Sequence, residues 1–187
     1  MEKSTETKKW RKMGKHRGSF AWDKLGNIKE GRGGLGEEMP VLVYRLMQLT
    51  MLDILSNAHG HEQANDYFRQ AGFLAGTEFA RHTLDLSTDF GTFMQDLKKL
   101  LEALKIGILQ KEDFDPHTGS IVLTVGEDLD CSGMPNTNET VCNYDEGFIS
   151  GILEAYTGKK YYVREVDCCA KGDKVCRFNG TVQQITT

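Results

Sequence analysis

The spacing of the apolar residues changes character once, near residue 105, and that change limits the chain to folds joining a helical half to a β half. Before it, three segments repeat at helical period. Glu37, Glu38 and Pro40 open the first, read as a helix over 40–58. Its stripe is Leu42, Leu46, Leu49 and Leu52, widened by Tyr44, Met47, Met51 and Ile54, and His59-Gly60 closes it. The second, over 62–81, sets Ala64, Phe68, Ala71, Ala75 and Phe79 on one face. Gly72 and Gly76 lie there at G-x-x-x-G spacing, which permits close approach of a helix or a ligand. The third follows a cap at Ser87, Thr88 or Asp89 and shows Phe93, Leu97, Leu100, Leu101 and Leu104. Beyond the change, 105–115 and 120–128 read as two strands around the turn "PHTG". Asn143 caps a fourth helix with Phe148, Ile149, Ile152, Leu153 and Tyr156 inside, and Gly158 ends it. "KYYVREVDCC" and "KVCRFNGTVQ" form a second hairpin around Gly172-Asp173. The order predicts an α+β fold: an antiparallel four-stranded sheet, made of two hairpins joined by a helix, packed with an N-terminal group of helices.

The remainder of the composition narrows the class. At 187 residues and 39% hydrophobic, the chain can bury one core. It has no long uncharged apolar run, so no membrane span is expected. The first 18 residues carry seven lysines and arginines against two acids, while the rest is acidic enough to bring the net charge to −4. The polar start lacks a signal core, which points to a cytoplasmic protein. An acidic body disfavours direct nucleic-acid binding by the domain. Two segments are expected: a basic, glycine-rich stretch over 1–36 and a folded domain over 37–187. Gly31, Gly33 and Gly36 match a dinucleotide-binding pattern by letter only, since no strand precedes them.

Three of the five cysteines crowd into the stretch Glu165–Phe178. An odd count in a reducing compartment argues against disulfides. Thiolates beside a carboxylate fit a closed structural zinc site, with Cys142 entering from the start of the fourth helix. Strand alternation leaves the ligands open. A two-residue turn at Gly172-Asp173 sets Cys169 opposite Cys176 and on the face of Glu165. A three-residue turn pairs Cys168 with Cys176 instead, and Glu165 then joins only through a bulge or by reaching around the strand. No histidine lies near these thiols in sequence, which disfavours a catalytic cysteine.

The pattern Glu165-x-x-Cys168-x3-Gly172-Asp173-x2-Cys176-x-Phe178 resembles the signature of the 4-vinyl reductase domain family. The match runs back through "ETVCNYDEGFISGILEAYTGKKYYVREVDC", which is similar to the aromatic-sensing domain of phenol- and xylene-responsive bacterial transcriptional activators. It covers roughly residues 90–187. The resemblance implies a structural zinc on Cys142, Glu165, Cys168 and Cys176, with Cys131 and Cys169 as bystanders and Cys169 first in reserve. It implies a fold related to trafficking-complex subunits and haem nitric-oxide sensors, often dimeric through its helices. It also implies a pocket for a small hydrophobic molecule between sheet and helices.

Phenol itself does not carry over. The tryptophan that phenol sensors use is absent from "SIVLTV", although His82 stands as a candidate polar group. Candidate wall residues are Met47, Met51, Phe68, Gly72, Gly76, Phe79, His82, Phe93 and Tyr156. The functional expectation is therefore a zinc-stabilised, ligand-binding sensory domain in signal transduction and transcription regulation. It would act as a homodimer and address an effector domain or partner protein. ATPase and helix-turn-helix portions are absent from the sequence, so it reads as a stand-alone sensor or a piece of a larger regulator. An enzyme or accessory protein acting on a tetrapyrrole-like hydrophobe and a ligand-free assembly module are the alternatives. No catalytic residue emerges, and Asp145 and Glu146 read as first-turn helix charges.

Overall fold

The computed structural model describes residues 20–183, so the basic residues at the start of the chain lie outside the described part. A 3₁₀ turn at Trp22–Leu25 and a single helical turn, α1 (Ile28–Gly31), stand where the glycine-rich stretch reads as loop. The Asn27 side chain accepts the Glu30 amide and nucleates that turn. Three helices follow: α2 (Val41–His59), α3 (His61–Thr83) and α4 (Phe90–Ala103). Gly60, at φ 86°, both ends α2 and precedes α3. Asp89 caps α4, accepting the amides of Gly91 and Thr92. The strands are β1 (Ile108–Phe114), β2 (Ile121–Gly126), β3 (Tyr161–Asp167) and β4 (Cys176–Val182), with α5 (Asn143–Thr157) between β2 and β3. The fourth helix expected from sequence is α5, and its N-cap is Cys142 rather than Asn143. Asn143 is its first residue and spends its side-chain oxygen on Arg69 of α3.

All strand pairs are antiparallel, in the order β1-β2-β4-β3. The two hairpins therefore join through β2 and β4. The register shifts at Glu112 in β1 and at Val166 in β3, where a bulge adds one unpaired residue. Phe93, Leu97 and Leu101 of α4, Ile152 and Leu153 of α5, and Leu109, Leu123 and Phe178 of the sheet form the buried core. α3 crosses α5 at backbone distance. A Cβ on Gly72 or Gly76 would overlap the carbonyls of Tyr144 and Phe148, and one on Gly147 or Gly151 would overlap those of Arg69 and Phe73. Two G-x-x-x-G patterns thus face each other, and the space beside Gly72 and Gly76 is filled by a helix rather than a guest. Glu146 is buried in the same seam, bonded by Arg69 of α3 and by Arg164 of β3 at 3.2 Å.

By contrast, α2 contains no buried residue. Leu42, Leu46, Leu49 and Ile54, read from sequence as facing the interior, are exposed. The helix is tied down by Tyr44, whose hydroxyl donates to Asp130 at 2.7 Å, and by Arg45, which donates to the carbonyls of Leu129 and Ser132.

Candidate functional site

Four cysteines meet at the end of the sheet where α5 begins. Cys142 caps α5, Cys168 follows β3, Cys176 opens β4 and Cys131 lies in the loop after β2. All four are fully buried, and their sulfurs lie within 4.8 Å of one another. Each is positioned by local backbone chemistry. Asp128 accepts the amides of Asp130 and Cys131 at 2.8 and 3.3 Å, which turns the loop so that Cys131 points inward. Cys168 is held by the Asp173 carboxylate on its amide at 2.9 Å. Its carbonyl accepts the amides of Lys171 and Asp173, with Gly172 in the left-handed region at φ 95°.

Neither turn weighed from sequence occurs. A 3₁₀ turn, Cys169–Lys171, separates β3 from β4, and Cys168 lies beyond the last paired residue, Asp167. The Val166 bulge lies between Glu165 and Cys168, as the bulged alternative required. Cys169 turns aside toward the Ser132 hydroxyl at 3.8 Å. The carboxylate of Glu165 accepts the Cys142 amide at 3.0 Å through Oε2, while its Oε1 is buried with no hydrogen-bond partner. Burial, then the neighbouring Cys168 thiol, pushes the Glu165 pKa up to about 8. Cys131, expected to be a bystander, belongs to the cluster, with its sulfur 3.1 Å from that of Cys176. The signal available was its place in the loop that runs between β2 and Cys142.

Zinc–sulfur bonds of about 2.3 Å at tetrahedral angles require sulfurs about 3.8 Å apart. Cys142 lies 3.8 Å from Cys176 and 3.9 Å from Cys168. Hydrogen bonds from Cys131, Cys142 and Cys176 draw the Cys168 pKa down, whereas Cys142 and Cys176 are pushed up as donors in the same network. Ionising several sulfurs at this spacing calls for a cation among them. The donor set, its separations and the unpartnered Glu165 oxygen fit a soft divalent metal ion.

Above this cluster, between α2, α3, α5 and the 3₁₀ turn, lies a cavity of about 530 Å³. Phe79, Phe148, Ala71, Leu74, Trp22 and Leu25 give it apolar walls, and Tyr44, Asp130 and Asp145 stand at its polar side. Burial and then Asp128 push the Asp130 pKa up to about 7, against the pull of Tyr44, Gln48 and Arg45. Asp145 is raised well above the usual carboxylate range by burial and by Asp130.

Of the expected wall residues, Phe79 lines this cavity. Phe68 lines a separate space of about 200 Å³. Met47 and Met51 are exposed on α2. Phe93 and Tyr156 stack on each other with ring centroids 4.0 Å apart, as core. Gly72 and Gly76 face α5. His82 is exposed and stacks on Trp22 at 4.8 Å, behind the wall. Sequence reasoning missed Trp22, Asp130 and the cavity-facing role of Asp145. Trp22 stands in a stretch without periodicity, and Asp145 reads as an ordinary first-turn acid.

Known proteins share parts of this architecture. Residues 121–182 match the family model of the 4-vinyl reductase domain. Two uncharacterized proteins of Methanocaldococcus jannaschii are similar. MJ0150 is 28% identical over 103 residues, covering 55% of this chain and 58% of its own length. MJ1642 is 27% identical over 95 residues, covering 51% and 56%. The chain thus spans a little over half the length of these curated relatives. Among solved structures, the phenol-responsive sensory domain of the transcription activator PoxR, with phenol, superposes at TM-score 0.61 and 18% identity, over 79% of this chain and 78% of that one. A vinyl-4-reductase family protein from M. jannaschii gives 0.56 at 16%, over 80% and 85%. A trafficking protein particle complex subunit 3 from Naegleria fowleri, covalently bound to palmitic acid, gives 0.57 at 12%, over 77% and 95%. At these identities the structural likeness speaks for the fold. Residues 121–182, which hold β2, α5, β3, β4 and all four clustered cysteines, are a 4-vinyl reductase domain.

Proposed function

We propose that this chain is a small-molecule-binding sensory domain stabilised by a structural zinc ion. The observation that carries the reading is the apolar cavity of about 530 Å³, within the usual range for ligand pockets, in a fold shared with a phenol-responsive sensory domain. The folded unit runs over 37–187, preceded by the basic, glycine-rich segment 1–36. Zinc is held by the thiolates of Cys142, Cys168 and Cys176, with Glu165 in fourth place. Two observations support Glu165 over Cys131. Its Oε1 has no other partner, and Cys131 sits closer to Cys176 than two sulfurs on one tetrahedral ion stand. With four positions filled, the ion ties α5 to the last hairpin and performs no chemistry of its own.

The cavity also explains how occupancy becomes a signal. Tyr44 contributes one wall from α2 and holds Asp130 in the loop leading to Cys131. A ligand there bears on α2, whose outer face is exposed and apolar. That face is the homodimer contact in our reading, and occupancy reaches an effector domain or partner protein through it. Buried thiols without disulfides fit a reducing, cytoplasmic setting, and no described helix is long and apolar enough to cross a membrane.

Elemental analysis of undenatured protein tests the metal, and mass spectrometry of solvent-extracted native protein tests the cavity. The expected result is one zinc per chain and a co-purifying apolar small molecule. Absence of zinc overturns the first half. Failure of any small apolar compound to bind overturns the second.

A further inference from the structure

The polar side of the cavity has an imbalance of charge. Asp130 is 3% exposed, its Oδ1 takes the Tyr44 hydroxyl, and its Oδ2 is buried with no hydrogen-bond partner. Asp145 lines the cavity beside it from the first turn of α5. Asp128, 2% exposed, stands behind with one oxygen committed to the amides of Asp130 and Cys131. The nearby cation does not neutralise them, because Arg45 directs its guanidinium at the carbonyls of Leu129 and Ser132. Among the described residues, none of these three carboxylates forms an ion pair.

Carboxylates withdrawn from water are costly unless a positive charge or donated protons meet them. A lone metal ion at Asp128 and Asp145 would meet the charge but leave about 530 Å³ of apolar-walled space without contacts. An organic cation answers both demands at once. Resting on the ligand-binding reading above, we infer that the cavity selects an amine, its apolar body against Phe79, Phe148 and Trp22 and its ammonium against Asp130 and Asp145. The ammonium donates to Asp130 Oδ2, the acceptor left open by Tyr44. A carboxylate-bearing ligand of the same shape meets like charge and is rejected.

The test uses the zinc-replete full chain and four probes with one body: 1-naphthylmethylamine, 1-naphthylmethanol, 1-ethylnaphthalene and 1-naphthoic acid, titrated by calorimetry near neutral pH. The amine is expected to bind about tenfold or more tightly than the alcohol, with the acid weakest. Asp130→Asn and Asp145→Asn are each expected to collapse the amine-to-alcohol ratio toward one. Should either variant fail to fold, the ranking on the unmodified chain decides. Equal binding of amine and alcohol, preference for the acid, or a ratio that survives both substitutions overturns the inference while leaving a ligand-binding cavity in place. If none of the four binds, the inference and the ligand-binding reading fall together.

Discussion

At the residue scale, the metal centre turns on which side chain supplies the fourth donor. Glu165→Gln keeps an acceptor for the Cys142 amide but replaces the charged donor with a neutral amide. Cys131→Ser removes a thiol and leaves Glu165 in place. We expect Glu165→Gln to weaken zinc retention against a chelator by at least about tenfold, the scale of losing a supporting metal contact, with Cys131→Ser close to the unmodified protein. Cobalt-substituted protein reads the same difference as the number of thiolates in its charge-transfer band. The reverse ranking would make Cys131 the ligand. Cys176→Ser removes a sulfur that no second donor replaces. Zinc binding is linked to folding, so its melting temperature should fall by about 10 °C or more, whereas Cys169→Ser should melt near the unmodified chain. How far these residues were legible depended on local order. Glu165, Cys168 and Cys176 stand at fixed offsets around a glycine turn and could be read through a family pattern. Cys131 sits in a loop whose path is set by one aspartate binding two amides, which leaves no periodic trace.

At the element scale, the crossing of α3 and α5 sets the geometry of the cavity. It brings Ala71 and Ala75 of one helix beside Tyr144 and Phe148 of the other. The crossing depends on four glycines, because each backbone fills the space that the opposite Cβ would need. Gly147→Ala must therefore push α5 away from Arg69 and disturb the Glu146 ion pairs in the same seam. Denaturant unfolding should show a loss of about 1–3 kcal/mol or more. Gly33→Ala, where the nearest atom stands at 3.8 Å, is the control and should be close to neutral. A Gly147→Ala protein as stable as that control would mean the helices do not meet this closely. The sequence announced half of this contact. Gly72 and Gly76 say that something approaches α3, but a spacing of four cannot say what. The answer lay in the matching Gly147 and Gly151, masked by the apolar run around them. Sheet order was hidden for a similar reason: turn chemistry predicts each hairpin, while the β2–β4 pairing depends on contacts distant in sequence.

At the scale of the whole molecule, α2 is the element that the chain by itself does not explain. Its leucine stripe was legible as a covered face, and the period was right, but periodicity does not name the cover. In the described chain Leu42 and Ile54 are 69% and 67% exposed, and Leu46, Met47 and Met51 lie near them. A contiguous apolar patch of this kind marks an interaction site, and the helix has only polar ties to the Cys131 loop. A second copy offers the same stripe, and a two-fold pairing of α2 with α2 would cover both. We therefore expect a dimer by sedimentation equilibrium, and a monomer when Leu46 and Ile54 are both changed to glutamate. Because Tyr44 of this helix forms part of the cavity wall, the double variant should also bind apolar probes several-fold more weakly, with its zinc retained. Sedimentation of the double variant as a dimer would place the contact elsewhere. A monomer with undiminished probe binding would leave the dimer contact standing but separate it from the ligand, removing α2 as the route from cavity to partner.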